Sequence, residues 1–298
     1  METIGFIGVG RIGTEICKHL LGAGHRVVGY RRSSLAEFEK IGGTAADSPA
    51  HVGDQCDLIF SCLPGGNSLD DVVMGHNGLL QTARPGQIVA ELGSHASEVK
   101  ERQVGRFLDK GVTFLDGEVS GTPGMLAARK APIYLAGDEA ACNKVAAVVK
   151  VFAEMYLYCG AFGAAGTIKF VNNLLVTVNT AAIGEAVSLA LKAGVDPQLM
   201  IKAIASGSGG SVLFPIRAPR MVQGDYLPAQ GTFEALSHYF GYVEALADKT
   251  GASTPMFELA ASLFCRGIER GMGEYDVAAI KEVIADLPRA CGAIKTTR

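Results

Sequence analysis

Three patterns that would fix the class of this chain at once are missing from it. None of its seven cysteines (Cys17, Cys56, Cys62, Cys142, Cys159, Cys265, Cys291) forms a C-x-x-C pair, and their number is odd. A disulfide framework or a zinc site is therefore not encoded, and reduced thiols in a cytoplasmic protein are the expectation. The six histidines show neither H-x-x-H nor H-E-x-x-H spacing, so no catalytic metal is expected. The formal net charge of -3 offers no extended electropositive surface to a polyphosphate backbone, which excludes nucleic acid as the main partner. The first residues run from Met1 straight into the apolar Ile4 to Ile7, without a basic n-region or a small-residue cleavage site. No apolar stretch reaches about 18 residues without Gly, Asn or charge, so neither secretion nor a membrane span is expected. Low-complexity tracts and internal repeats are missing too.

What is present is ample apolar material: 48% of the 298 residues are hydrophobic and 19% charged, the balance of a globular chain. That length is long for a single core and comfortable for two domains. Up to about residue 160, short apolar runs alternate with amphipathic stretches, as when parallel strands are joined by helices packed on both faces of a sheet. Strands are expected at Ile4 to Ile7, Arg26 to Tyr30, Leu58 to Leu63, Gln87 to Leu92, Val112 to Asp116 and Ile133 to Ala136. Helices are expected at Thr14 to Leu21, Ser34 to Ile41, Ser97 to Lys110 and Glu139 to Ala153. Past the Gly-rich segment Gly160 to Gly166 the pattern changes: Thr167 to Ala193 reads as one long helix, and Gln198 to Thr297 as further helices broken by Gly and Pro. The reading is a doubly wound parallel sheet domain, residues 1–162, followed by an all-α domain, residues 163–298, with a long interdomain helix.

Gly8-Val9-Gly10-Arg11-Ile12-Gly13 spells G-x-G-x-x-G directly after an apolar strand and directly before a helix. In that context the first Gly permits the tight turn, the second lets the backbone approach a pyrophosphate, and the third lets helix and strand pack closely. The phosphates then face a helix N-terminus. The second strand ends in Tyr30-Arg31-Arg32-Ser33, where an NAD-preferring site carries a carboxylate for the ribose 2′-OH. Two guanidinium groups and a hydroxyl suit a 2′-phosphate instead, so NADP(H) is the expected cofactor. Further along, Lys169 and Asn173 stand four apart at the start of the long helix, among Phe170, Val171, Leu174, Leu175 and Val178. One helical face carries both, in surroundings where a charged group needs a reason to be.

With these residues the chain resembles the β-hydroxyacid dehydrogenase family, which includes 3-hydroxyisobutyrate dehydrogenase and tartronate semialdehyde reductase. The resemblance covers most of the chain: the Gly-rich opening, Gly24-His25, Asp47-Ser48-Pro49, Cys62-Leu63-Pro64, Asp116 to Thr122, and Lys169-x-x-x-Asn173. It implies that Lys169 gives a proton to the carbonyl oxygen in reduction and assists its removal in oxidation, and that Asn173 orients Lys169 or the substrate hydroxyl. By the same resemblance Ser120 and the backbone N–H groups of Gly121 and Thr122 hold the carboxylate of a small-molecule substrate. Leu63 and Pro64 border the nicotinamide, and Ser94 stands for the Thr of the family's D-x-S-T strand end, or caps the helix that follows. A homodimer or homotetramer is implied, with the long helix as its interface. The chemistry is sensible in itself, because an ammonium both stabilises and protonates the oxygen on which charge develops, and burial lowers a Lys pKa toward the working pH.

The sequence departs from the family pattern at several points. Glu91-Leu92-Gly93-Ser94 replaces D-x-S-T, Glu118 replaces a Pro, Thr122 a Gly, and Arg129 stands where Gly is common. His238-Tyr239 occupies the place of a downstream Lys-Asp, and Gly166 is offset from the usual G-x-G. Two other readings stay open: an imine reductase, disfavoured by Lys169 and Asn173, and a non-catalytic NADP-binding regulatory protein, disfavoured by the intact Ser120, Lys169 and Asn173.

Overall fold

Residues 1–65 and 67–288 are described by a computed structural model. Cys291 and the end of the last helical stretch lie outside them. The chain divides into two compact units, Met1–Lys169 and Phe170 onward.

The first unit carries β1 Thr3–Ile7, α1 Arg11–Gly22, β2 Arg26–Tyr30, α2 Ala36–Lys40, β3 Thr44–Ala45, α3 Pro49–Gln55, β4 Leu58–Ser61 and α4 Ser68–Met74. It continues with β5 Ile88–Glu91, α5 Ser97–Leu108, β6 Thr113–Val119, α6 Pro123–Ala127, β7 Ile133–Ala136, α7 Glu139–Phe152 and β8 Tyr156–Tyr158. These strands form one eight-stranded sheet in the order β3-β2-β1-β4-β5-β6-β7-β8. All neighbours pair parallel except β6 and β7, which are antiparallel. That one reversed step, across the connection 120–132 that carries α6, is the exception in an otherwise parallel, doubly wound sheet.

Successive strand residues point to opposite faces and feed two cores. Ile4, Phe6, Phe60, Ala90 and Leu115 join one with Ile16 and Leu20 of α1 and Val145 and Val149 of α7. Ile7, Ile59, Val89 and Phe114 join the other with Val52 of α3, Val73 of α4 and Phe107 of α5. Such double coverage is why these strands read as near-continuous apolar runs. Between β1 and β4 the winding reverses, and the ends of those two strands make the switch point at which ligands bind in open sheets of this kind.

In the second unit α8, Ala164–Lys192, is shared with the first at its N-terminal turns. It is followed by α9 Pro197–Ala205, α10 Phe214–Gln223, α11 Phe233–Ser237, α12 Phe240–Thr250, α13 Pro255–Glu269 and α14 Ile280–Ala285. Among the described residues this unit has no strand, only an isolated bridge between Thr232 and Asp276. Phe214, Phe233, Phe257 and Phe264 fill its core. Asp276 is buried there and accepts from the Arg217 guanidinium at 3.0 Å and from the backbone N–H groups of Gln230 and Ala278. Arg129, where the family commonly has Gly, takes the left-handed conformation with φ 60. Its guanidinium donates to the Lys150 carbonyl at 2.6 Å, a bond Gly lacks.

Candidate active site

The turn after β1 is built by close approach. Gly8 adopts φ +93, and a Cβ on it would sit 2.2 Å from the Cys62 carbonyl oxygen at the end of β4. Gly13 on α1 would bring a Cβ to 2.4 Å from the Gly8 oxygen and 2.6 Å from the Phe6 ring, so only Gly lets α1 pack this tightly on β1. Gly10, by contrast, has no protein atom nearer than 4.0 Å to its absent Cβ. The open space is on the side where a pyrophosphate approaches. Gly8 N–H donates to the Tyr30 carbonyl at 2.8 Å, tying this turn to the end of β2.

Around the turn lies a cleft of about 670 Å³ lined by Gly8, Val9, Gly10, Tyr30, Arg31, Arg32, Ser33, Cys62, Leu63 and Pro64, with Asp47, Ser48 and His76 also in its lining. Its volume is in the range of cofactor sites. The Arg31 guanidinium is fixed by donating to Ser33 Oγ at 2.6 Å and to the Val9 carbonyl at 3.1 Å. Of the expected cofactor residues, Arg11, Ile12, Gly13 and Ser94 do not line this cleft. Arg11 is exposed, Ile12 packs on the sheet core and Gly13 is a packing contact. Open backbone beside Gly10 and a fixed guanidinium beside a hydroxyl fit a nicotinamide dinucleotide with its adenosine end at β2.

Beyond the end of β5 the side chains form a buried polar network. Glu91 accepts from the backbone N–H groups of Gly93 at 2.7 Å and Leu63 at 3.3 Å, from the Ser61 hydroxyl, and stands 3.3 Å from His95 Nε2. It thereby joins the loops after β4 and β5. Burial works against its charge, but the His95 contact, the Lys100 ammonium and Ser61 hold its carboxyl below the usual range. Ser94 does not cap α5, whose N-cap is Ala96; its hydroxyl donates to Glu118 Oε2 at 2.5 Å. Lys100 of α5 donates to Asp116 Oδ1 at 2.8 Å, the Gly117 carbonyl at 2.8 Å and Glu118 Oε1 at 3.2 Å. Asp116 Oδ2 accepts from the Gly166 N–H in the first turn of α8 at 3.1 Å, where a carboxylate is favoured by the helix dipole.

Lys169 is only 6% exposed and donates from Nζ to the Val119 carbonyl at 2.9 Å. Its amine is therefore held beside the residue that precedes Ser120 rather than in solvent. Burial pushes its pKa below the ordinary Lys value, and Glu118 pulls in the opposite direction. Ser120 N–H donates to the Pro132 carbonyl at 2.9 Å. A Cβ on Gly121 would lie 2.7 Å from Ala131, and the Thr122 hydroxyl is occupied as the N-cap of α6. Asn173, one turn beyond Lys169 on α8, is buried, and its Nδ2 has no partner. His238 is exposed, 3.3 Å from the Tyr242 hydroxyl, and Tyr242 in turn stacks near Phe170.

Sequence reading singled out Lys169 and Ser94 but assigned nothing to Lys100 or His95, and noted Glu91 and Glu118 only as departures. The available signal was periodic: Lys100, Gln103 and Phe107 share the buried face of α5. Among the described residues no group of three His, Cys, Asp or Glu is arranged to hold a metal, and the six described cysteines are free thiols.

These features define a dinucleotide-binding oxidoreductase domain joined to a helical domain, and comparison with known proteins is specific. Residues 3–160 match the NAD-binding domain of 6-phosphogluconate dehydrogenase, and residues 163–284 match the NAD-binding domain of NADP-dependent 3-hydroxyisobutyrate dehydrogenase. The chain belongs to the β-hydroxyacid dehydrogenase family of NAD(P)-dependent enzymes. It is 29% identical over 285 residues to the L-threonate dehydrogenase of Cupriavidus necator, covering 95% of this chain and 96% of that protein. To the 2-(hydroxymethyl)glutarate dehydrogenase of Eubacterium barkeri it is 28% identical, covering 94% of each. In fold it is similar to Mycobacterium tuberculosis 3-hydroxyisobutyrate dehydrogenase solved with L-serine, with TM-score 0.87, 23% identity, and coverage of 97% of this chain and 100% of that one. An imine reductase from Myxococcus stipitatus is more distant, with TM-score 0.65 and 19% identity over 95% of this chain and 99% of that one.

Proposed function

We propose that the chain is an NADPH-dependent oxidoreductase acting on a β-hydroxy acid and its semialdehyde or keto partner. The observation that carries this reading is the buried Lys169 amine, fixed on the Val119 carbonyl immediately before Ser120-Gly121-Thr122. The nicotinamide cofactor, held by the cleft around Gly8, Gly10, Arg31, Arg32 and Ser33, would supply the hydride in reduction and accept it in oxidation. Lys169 gives its proton to the carbonyl oxygen in reduction and takes it back in oxidation, and Asn173 orients it. Ser120 and the backbone of Gly121 and Thr122 receive the substrate's carboxylate. Gly8 to Gly13 form the pyrophosphate turn, Arg31, Arg32 and Ser33 take the 2′-phosphate, and Leu63 and Pro64 lie toward the nicotinamide end. The two enzymes compared above, named for L-threonate and 2-(hydroxymethyl)glutarate, support a hydroxy carboxylate as the substrate class.

The test follows NADPH and NADH absorbance with a panel of 3-oxo acids, semialdehyde carboxylates and cyclic imines, using wild type and Lys169→Ala. Turnover of a carbonyl carboxylate with NADPH is expected, and a loss of about 10²- to 10⁴-fold in Lys169→Ala with NADPH still bound. Binding without turnover on any compound would make the chain a regulatory protein. Imine turnover independent of Lys169 would make it an imine reductase.

A further inference from the structure

Glu118 stands on β6 where the family pattern carries a Pro, and it is completely buried. Its two oxygens are held from different elements: Oε2 by the Ser94 hydroxyl after β5 at 2.5 Å, Oε1 by the Lys100 ammonium of α5 at 3.2 Å. The first turn of α8 closes over it, since a Cβ on Gly166 would lie 3.9 Å from Glu118 Oε1 and 3.9 Å from both Asp116 oxygens. Lys169 follows Gly166 by one turn, and its Nζ donates at 2.9 Å to the carbonyl of Val119, the residue next to Glu118 on β6. Across the β6–β7 ladder Glu118 faces Tyr134.

Burial pushes the Glu118 carboxyl up toward its neutral form, while the Lys100 ammonium, the Ser94 hydroxyl and Lys169 favour the carboxylate, so the ionised form depends on the cations around it. Lys100 lies between two carboxylates, Asp116 and Glu118, while Glu91, the next acid along, is engaged by His95 and Ser61. One ammonium against two carboxylates leaves a negative charge in a buried space, which is costly unless a cation compensates it. The ammonium of Lys169 is the cation that α8 brings to it. We propose that Glu118 is a positioning residue: its carboxylate, fixed by Ser94 and Lys100, keeps the Lys169 ammonium charged and oriented on Val119, a role for which the family's usual Pro has no group. The proposal rests on the reading of Lys169 as proton donor. Burial favours the neutral amine at Lys169, and Glu118 opposes it, extending the range in which the donor form exists. The same carboxylate slows the oxidative direction, which requires the neutral amine.

The experiment titrates the full chain, carrying lysine labelled with ¹³C at Cε, by NMR, with the Lys169 signal identified by its loss in Lys169→Ala. In Glu118→Gln the Lys169 midpoint is expected to fall by about one pH unit or more relative to wild type, the effect of removing an opposite charge close by. The basic limb of NADPH-driven carbonyl reduction moves down with it. Glu118→Pro, which restores the usual residue, carries the same test should Glu118→Gln fail to fold. A midpoint unchanged within a few tenths of a pH unit in a folded variant overturns the proposal. Full turnover by Lys169→Ala would instead remove the proton-donor reading, while the titration still decides whether Glu118 holds the amine charged.

Discussion

Arg31, beside Arg32 and Ser33, is the fixed part of the cofactor preference proposed for this chain. Arg31 is preorganised by Ser33 and the Val9 carbonyl, so little side-chain freedom is lost when it meets a phosphate. Hydrogen bonds to charged groups contribute about 1.5–3 kcal/mol each. Arg31→Ala is therefore expected to weaken NADPH binding about tenfold or more in a fluorescence titration while changing NADH binding much less. Equal losses for both cofactors would show that Arg31 does not read the 2′-phosphate. Tyr30-Arg31-Arg32-Ser33 was legible from sequence because a carboxylate is missing from a position fixed by the strand before it. Lys100 was not legible: a Lys on an amphipathic helix belongs by default in solvent, and only the carboxylates of Asp116 and Glu118 on another element account for its burial.

Among the elements, α8 carries apolar residues outward as well as inward, with Phe170, Ile183 and Val187 in the core. Lys169, Asn173, Thr177 and Thr180 are buried along it, whereas Val171, Leu175 and Leu189 are 48%, 51% and 70% exposed. By length and composition it is also the one helix among the described residues able to cross a membrane, with only a third of its most apolar window buried. A second copy of the chain would cover that apolar face. Light scattering is expected to give at least twice the chain mass, and Leu175→Asp to lower it by placing a charge in that contact. A wild-type monomer would leave the face without this explanation. The long apolar periodicity made α8 readable in the sequence. The two-residue β3 and the edge strand β8 were not, since each is too short to show a period and is set by its neighbour's ladder.

For the molecule as a whole, folding stability is tied to pH through carboxylates whose ionised forms the fold prefers. Burial disfavours the charge of Asp70, but hydrogen bonds from Gln103, Arg106 and Arg102 outweigh it and hold the pKa at about 2. Glu91 is likewise lowered against its burial by His95, Lys100 and Ser61. A carboxylate depressed in the folded state stabilises above its unfolded value, about 4, and that contribution is lost as pH falls through the folded value. Thermal melts should show a midpoint steady from neutral pH to about 5 and falling steadily from about 4 toward 2. An acid limb that begins only below about 2 would show that these two groups are not coupled to folding.

Strand, turn and helix at the start of the chain follow from local rules. An apolar run, three glycines at fixed spacing and a terminal pair of arginines act over a few residues, so the sequence alone determined the dinucleotide-binding unit and its switch-point cleft. The Lys169-x-x-x-Asn173 pair was equally local, because four residues make one helical turn. What only the tertiary structure decided is the environment of that amine. Ser94, Lys100, Asp116 and Glu118 come from three elements of the sheet unit. Their meeting depends on β5 and β6 pairing side by side with α5 laid against β6, and the charge balance of a buried space is a sum over neighbours that no sequence window contains.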